Sequence, residues 1–325
     1  MSGRVSDMTD LPPDDTGSIS RRVAETIPAS LADVRIDRVV SLIADVSRNA
    51  AATLIADGAV TLDGEVVQVG KGKVLEGQLI TIDVSKAAGP ALPAADPGVR
   101  LDIVHADDEV IVVNKPAGLV VHPGAGNQLG TMVNYLLAEF PEIATVGDPM
   151  RPGIVHRLDA GTTGLIAVAR TAHAYASLVE QLTARSVTRV YSVVVWGIPA
   201  SEHGVIDAPI GRDQRDPTRM AVVVDGRPSR THYVVEQSYH TPKDASLVEC
   251  RLETGRTHQI RVHLASIGHP VVGDPTYGGV RPGLRVGRPM LHARELAFDH
   301  PASGERCTFG APLPADFAAL LASLS

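Results

Sequence analysis

The sequence predicts an α+β protein, with a small N-terminal α+β module followed by a larger domain built on a mainly antiparallel, mixed sheet. Three observations carry this reading. At roughly 100–200 residues per domain, a chain of 325 residues has room for two. A Pro/Ala/Gly-rich stretch at 85–99, with AAGPALPAADPG at its centre, reads as a linker. After Arg100, strand-like runs follow one another through turns rather than helical crossovers, which favours antiparallel pairing.

Residues 1–34 are rich in Asp, Pro, Ser and Gly without a sustained apolar period, and are expected to be a disordered leader. From Arg35 the pattern becomes helical. Ile36, Val39, Val40 and Ile43 form one stripe, and Ala51, Leu54 and Ile55 a second, with Ser47 as N-cap and Gly58 as stop signal. Two alternating runs follow, AVTLDGEVVQVG and LITIDV, the first carrying an Asp63-Gly64 hairpin signal. The module is therefore placed at 35–84.

In the domain assigned to 100–325, strands are expected in LDIVHADDEVIVVNKP, GIVHRLD, GLIAVAR, VYSVVVWG, RMAVVV, HYVVEQS, ASLVECRLE and ELAFDH. Helices are expected at 131–139, at 172–185 and at 258–267, where Ile260, Leu264 and Ile267 recur at i, i+4 and i+7. A last helix, ADFAALLASL, closes the chain.

Composition narrows the class. With 44% hydrophobic and 21% charged residues the chain is globular, not disordered. It lacks both an apolar run of membrane-spanning length and the apolar core of a signal peptide, so a protein of the cytoplasm without membrane association is expected. Cys250 and Cys307 form no CxxC pair and are expected as free thiols. The net charge of -7 disfavours nucleic acid only if it is evenly spread. Residues 151–190 carry five Arg against two acids, and 25 of the 30 basic residues are Arg, whose planar fork suits phosphate and base edges. Genomic base composition alone also produces such a bias.

The chemistry is bounded first by what is missing. GxxxxGKS/T, HExxH and GxSxG do not occur, and the spacing of His258 and His263 points the two rings apart, so no metal is expected. Two constellations remain. RPGIVHRLDAGTTG, residues 151–164, reads as a strand end leading into a charged turn, His156-Arg157-Leu158-Asp159, followed by glycines. A surface turn with an Arg157–Asp159 ion pair is the plain alternative. RLETGRTHQIRVHLASIGHP, residues 251–270, passes through Gly255 and Arg256 into a helix with His258, Gln259 and Arg261 on its polar side. Two Arg-rich turns in one domain suit a shared anionic ligand.

HRLDAGTTG, together with NKPAGLVVHPG at 114–124, VYSVVVWG at 190–197 and GRTHQIRVHLASIGHPVVGD at 255–274, resembles the RNA pseudouridine synthases that modify large-subunit ribosomal RNA. The four motifs fall in order across residues 100–300. Residues 35–84 are similar to the S4-type RNA-binding module that such enzymes often carry. The resemblance implies isomerisation of uridine to pseudouridine in structured RNA, without a cofactor, by a protein expected to act as a monomer on rRNA or an assembling ribosomal particle. It implies Asp159 as nucleophile, Arg261 as its basic partner and Tyr191 as the aromatic that stacks on the uracil. Arg157 would enter the base stack that the target has left. His156, Lys115 and Arg256 are expected at the substrate, and Ile260 or Leu264 in the apolar pocket wall. Whether the carboxylate attacks base or sugar, or a glycal forms first, is left open by these residues.

In one respect the chain departs from expectation. Residues 35–84 hold five basic and seven acidic side chains, which weakens the case for strong RNA affinity in the module. Two rival readings stand against the sequence. A glycosidase-like hydrolase needs paired carboxylates, and the Asp159 motif has no second acid. An S4-type RNA-binding protein with an inactive synthase-like domain would have no need of Asp159, Tyr191 and Arg261 together.

Overall fold

The computed structural model describes residues 22–46, 48–84, 92–98, 100–123, 129–216 and 219–325. The chain divides between residues 91 and 92 into two compact units.

In the first unit, strand β1 (Arg22–Thr26), helices α1 (Ile36–Ile43) and α2 (Arg48–Ala56), and strands β2 (Val60–Leu62), β3 (Glu65–Val66) and β4 (Leu79–Asp83) surround a small core. The sheet runs β1-β4-β2-β3. Both helical stripes read from the sequence are inside, with Val39, Val40 and Leu54 fully buried against Val60, Ile80 and Ile82. Asp63 and Gly64 both take positive φ, 52° and 88°, as a two-residue primed turn requires. Gly58, at φ 66°, terminates α2 as expected. The proposed cap Ser47 lies outside the described residues.

The expected leader is too long. Residues 22–34 belong to the module, because β1 zips along β4 from Arg22↔Asp83 to Thr26↔Leu79, and a short 3₁₀ turn follows at Ala29–Leu31. An edge strand gains mostly backbone hydrogen bonds and leaves its side chains wet, so RVAET carries no apolar signal. Ile27 is driven fully into the core, and Leu31 and Val34 pack against it partly buried. The linker is likewise shorter than expected at its C-terminal side. Asp96 N donates to Asn134 O, and Asn134 Nδ2 donates to Ala94 O, which ties this stretch to the second unit.

The second unit is built on a nine-stranded sheet. Its strands are β5 (Asp102–Ala106), β6 (Val110–Lys115), β7 (Thr163–Ala169), β8 (Thr188–Trp196), β9 (His203–Asp207), β12 (Arg230–Tyr239), β13 (Ala245–Leu252), β14 (Leu291–Asp299) and β15 (Arg306–Gly310). The order is β5-β6-β7-β14-β8-β13-β12-β9, with β15 also on β14. Every pairing is antiparallel except β7 with β14. Helices α3 (Met132–Glu139), α4 (Ala172–Thr183), α5 (Gln259–Ser266) and α6 (Ala315–Ala322) complete it.

The sheet is covered on both faces, which explains why β6 and β7 read as continuous apolar runs. Ile111, Val113, Ile166 and Val168 enter one core with α3 and α5, while Val110, Val112, Leu165 and Ala167 enter another with α4. Among the described residues no helix is long and apolar enough to cross a membrane.

Three expectations fail here. GIVHRLD is not a strand and makes only the isolated bridge Ile154↔Val168, because the His156 ring takes the Ala167 N–H that a strand would have paired. RMAVVV leaves the main sheet, its β11 (Met220–Val222) pairing with β10 (Ile210–Arg212) in a separate hairpin. Ile267 lies past the end of α5 and is 38% exposed. Strands β9 and β15 escaped the reading because they alternate toward solvent and carry no apolar run.

Candidate active site

The HRLDAGTT turn sits where the chain enters the sheet. Its end is locked by Gly164, at φ 107°, where a Cβ would lie 2.2 Å from the Ala293 carbonyl oxygen, so only glycine lets β7 approach β14. Lys115, on the neighbouring strand, fixes the turn from beneath. It is fully buried, and its Nζ donates to the carbonyl oxygens of Pro116 (2.9 Å), Leu119 (2.9 Å) and Ala160 (3.2 Å). Burial pushes its pKa down to about 7, while three acceptors match the three hydrogens of the ammonium form. Lys115, expected at the substrate, here spends its three donors on the loop that carries Asp159.

The Asp159 carboxylate is held from one side. Arg261 Nη1 donates to Oδ2 at 3.0 Å, and the Oδ1 oxygen lies 4.0 Å from His258 Nε2. The surface ion pair considered between Arg157 and Asp159 is absent; Arg157 points outward at the cavity mouth. Arg261 itself, 6% exposed, is clamped by Asp274 through two parallel bonds, Nε to Oδ2 (2.7 Å) and Nη2 to Oδ1 (2.9 Å), and reaches Thr276 Oγ1 at 3.1 Å. Burial opposes its charge, but Asp274 and Asp159 together hold its pKa above the ordinary arginine value. Asp274 is completely buried and engaged by the guanidinium, so it does not serve as the second working carboxylate of a glycosidase.

Tyr277 covers this pair. Its ring lies 5.1 Å from the Arg261 guanidinium carbon and 5.3 Å from that of Arg219. Its Oη accepts from Met220 N and meets His258 Nδ1 at 2.8 Å, which ties the β10–β11 hairpin to the site. His258 caps α5 in the left-handed region, φ 57°, and burial lowers its pKa. Asp274 and Tyr277 were missed in the sequence. A lone acid and a lone aromatic in the Gly/Pro-rich GHPVVGDPTYGG were the available signal.

Asp159, His258, Arg261, Arg157 and Leu158 form a wall shared by two cavities of about 510 and 860 Å³. The smaller one is floored by Tyr191, 5% exposed, whose phenol burial keeps protonated by raising its pKa. Ile260 lines the same cavity, but Leu264 does not; it belongs to the core beneath α5, a correction to its expected place in the wall. Arg256 lies exposed at the rim. His156 lines the cavity through a neutral ring, since Nε2 accepts from Ala167 N and burial pulls its pKa down to about 3. Gln259, read as part of the polar face, is internal, bonding Thr254, Arg256 N, Arg230 O and Thr231. Among the described residues no group of three or more His, Cys, Asp or Glu side chains is arranged to hold a metal ion.

A carboxylate with one oxygen anchored and the other open to a cavity with an apolar wall and a phenol is suited to nucleophilic attack on an uncharged heterocycle or its sugar. Comparison with known proteins supplies the class. Residues 109–266 match the family model described as RNA pseudouridylate synthase. The chain is 44% identical over 291 residues to an uncharacterized RNA pseudouridine synthase, YlyB, of Bacillus subtilis, covering 89% of this chain and 94% of the relative. This chain belongs to the RNA pseudouridine synthases. The synthase is also 43% identical over 317 residues to the ribosomal large subunit pseudouridine synthase D of Pseudomonas aeruginosa, covering 94% of this chain and 96% of that one. Among solved structures, the human RNA Pseudouridylate Synthase Domain Containing 1 matches with TM-score 0.56 and 30% identity over 71% of this chain and 91% of its own. The matched family segment includes Asp159, Tyr191 and Arg261 but ends before Asp274, so the clamp on Arg261 lies outside it.

Proposed function

We propose that this synthase isomerises specific uridines of large-subunit ribosomal RNA, with Asp159 as the nucleophile. In the reaction the C1′–N1 bond breaks, C1′–C5 forms, the C5 proton leaves and N1 takes one up. The observation that carries the reading is the Asp159–Arg261–Asp274 chain at the wall of the cavity floored by Tyr191. Arg261 anchors the attacking group through Oδ2 and leaves Oδ1 facing the cavity. Tyr191 provides the surface on which the uracil stacks. The target base is flipped out of its helix, and the exposed Arg157 takes the vacated place in the stack. The large-subunit assignment rests on relatives at 43% identity, the ribosomal large subunit pseudouridine synthases D.

The test is a pseudouridine map of ribosomal RNA from cells with and without the protein, completed by re-expressing wild type or Asp159→Ala. Loss of one or a few large-subunit pseudouridines, restored only by wild type, is expected. A map that does not change in the large-subunit RNA overturns the assignment.

A further inference from the structure

The cavity beside Asp159 contains a buried cation that the reaction scheme above leaves unused. Arg189 stands two residues before Tyr191 on β8, so both side chains project from the same face of the sheet. It is 6% exposed and lines the cavity, yet no carboxylate pairs with it. Its Nη2 donates to the Glu253 carbonyl oxygen at 3.2 Å, its buried Nε has no partner, and Nη1 forms no hydrogen bond. The nearby Glu253 carboxylate is engaged elsewhere, by Arg185 at 2.8 Å and His232 at 2.7 Å. A buried guanidinium with neither counter-ion nor full hydrogen bonding is costly, and such groups are retained where a ligand completes them. The surroundings favour an anion. Arg157 and Arg256, which line the same cavity, have no ionic partner among the described residues. Gly255 leaves the guanidinium its space, since a Cβ there would lie 2.7 Å from Nη1.

We propose that Arg189 forms an internal phosphate subsite that takes one phosphodiester of the RNA strand through Nε and Nη1 as the flipped nucleotide enters. Arg256 at the rim helps admit the strand. The proposal rests on the RNA-substrate reading above, and it assigns to that cavity a charge contact separate from the nucleophile and its clamp. An uncompensated buried charge destabilises the empty protein, and its ligand should restore what it costs.

The experiment measures thermal unfolding of the full chain against inorganic phosphate, and separately the salt dependence of binding to an oligouridine, for wild type, Arg189→Met and Gly255→Ala. Without phosphate, Arg189→Met should melt about 2–5 °C above wild type. Phosphate should raise the melting temperature of wild type but not of Arg189→Met. Gly255→Ala, which displaces the guanidinium while keeping its charge, should respond weakly. Affinity of Arg189→Met for the oligouridine should fall roughly tenfold or more, with the slope of log K against log salt reduced by about one. A merely structural arginine would leave that slope and the phosphate response unchanged, and this result in either variant that folds overturns the subsite. Because the phosphate titration needs no turnover, a phosphate response lost with Arg189 in a protein that makes no pseudouridine would refute the proposed reaction and leave the subsite standing.

Discussion

Replacing Arg261 with methionine probes the centre of the site. The guanidinium gives Asp274 Oδ2 its hydrogen bond from Nε, whereas Oδ1 also receives Thr276 N at 2.8 Å and Tyr277 N at 3.3 Å. Methionine therefore strands one oxygen of a completely buried carboxylate and removes the donor to Asp159 as well. Removing one partner of a buried pair costs about 3–5 kcal/mol. At about 2–4 °C per kcal/mol for a unit of this size, the melting temperature should fall on the order of 10 °C. The double variant Arg261→Met/Asp274→Asn removes the stranded charge while retaining an oxygen for the turn, and should recover at least half of that loss. Neither variant should release tritium from 5-tritiated uridine RNA. Melting curves and tritium release, run on the same preparations, check both statements. A single variant that melts with wild type, or a double variant that turns over, would show that the clamp neither bears the buried charge nor serves the nucleophile.

Asp159→Ala should abolish tritium release while leaving RNA affinity within a few-fold, as one carboxylate adds little to a phosphate-dominated interface; filter binding and turnover measured side by side check this. Lys115→Met strands the Pro116 and Leu119 carbonyl oxygens, leaves Ala160 O with Gly118 N as its one donor, and should cost about 3 kcal/mol, read from denaturant unfolding, with turnover falling alongside it. His156, with its pKa near 3 in the native state and about 6.5 when unfolded, costs nothing above pH 6.5 and progressively destabilises as pH falls toward 3, because only the unfolded chain takes up the proton. Between pH 7 and 5 the variant His156→Gln should lose about 2 kcal/mol less stability than wild type, as measured by melting at both pH values. A fragment starting at Leu92 should fold alone and retain chemistry, with RNA affinity reduced by about tenfold; circular dichroism and an RNA titration decide it.

The elements legible in the sequence were those whose apolar period reflects burial. The stripe Ile36, Val39, Val40 and the run GLIAVA announced themselves because tertiary packing uses every apolar residue they hold. Strands β1, β9 and β15 did not, since an edge or half-wet strand is specified by its neighbour's backbone rather than by its own side chains. At the site, Asp159, Tyr191 and Arg261 were readable because their motifs recur in a family. Asp274 was invisible for the opposite reason: in sequence, a buried carboxylate that only steadies a cation looks like any other acid. Lys115 was legible as either a structural or a substrate-facing lysine, and only three-dimensional closure reveals the carbonyls that engage it. Leu264 had the right period and the wrong neighbour, one helical turn below the cavity that Ile260 reaches.

The close crossing at Gly164 has a consequence for anyone wishing to retarget this catalyst. The nucleophile's position is dictated by main chain: a glycine pressed against the Ala293 carbonyl on one side and the Lys115 cradle under Ala160 on the other. Of the walls that face a substrate, Ile260 and Arg256 are side chains on α5 and the loop before it, and Arg157, on the nucleophile's own turn, is an exposed side chain outside the main-chain anchor. Alterations to those walls leave the anchor of the reacting group where it is. Recognition is thus modular with respect to reactivity, and a library confined to the walls should change which uridine is accepted without rebuilding the chemistry, whereas any side chain at Gly164 would part the two central strands and lose both.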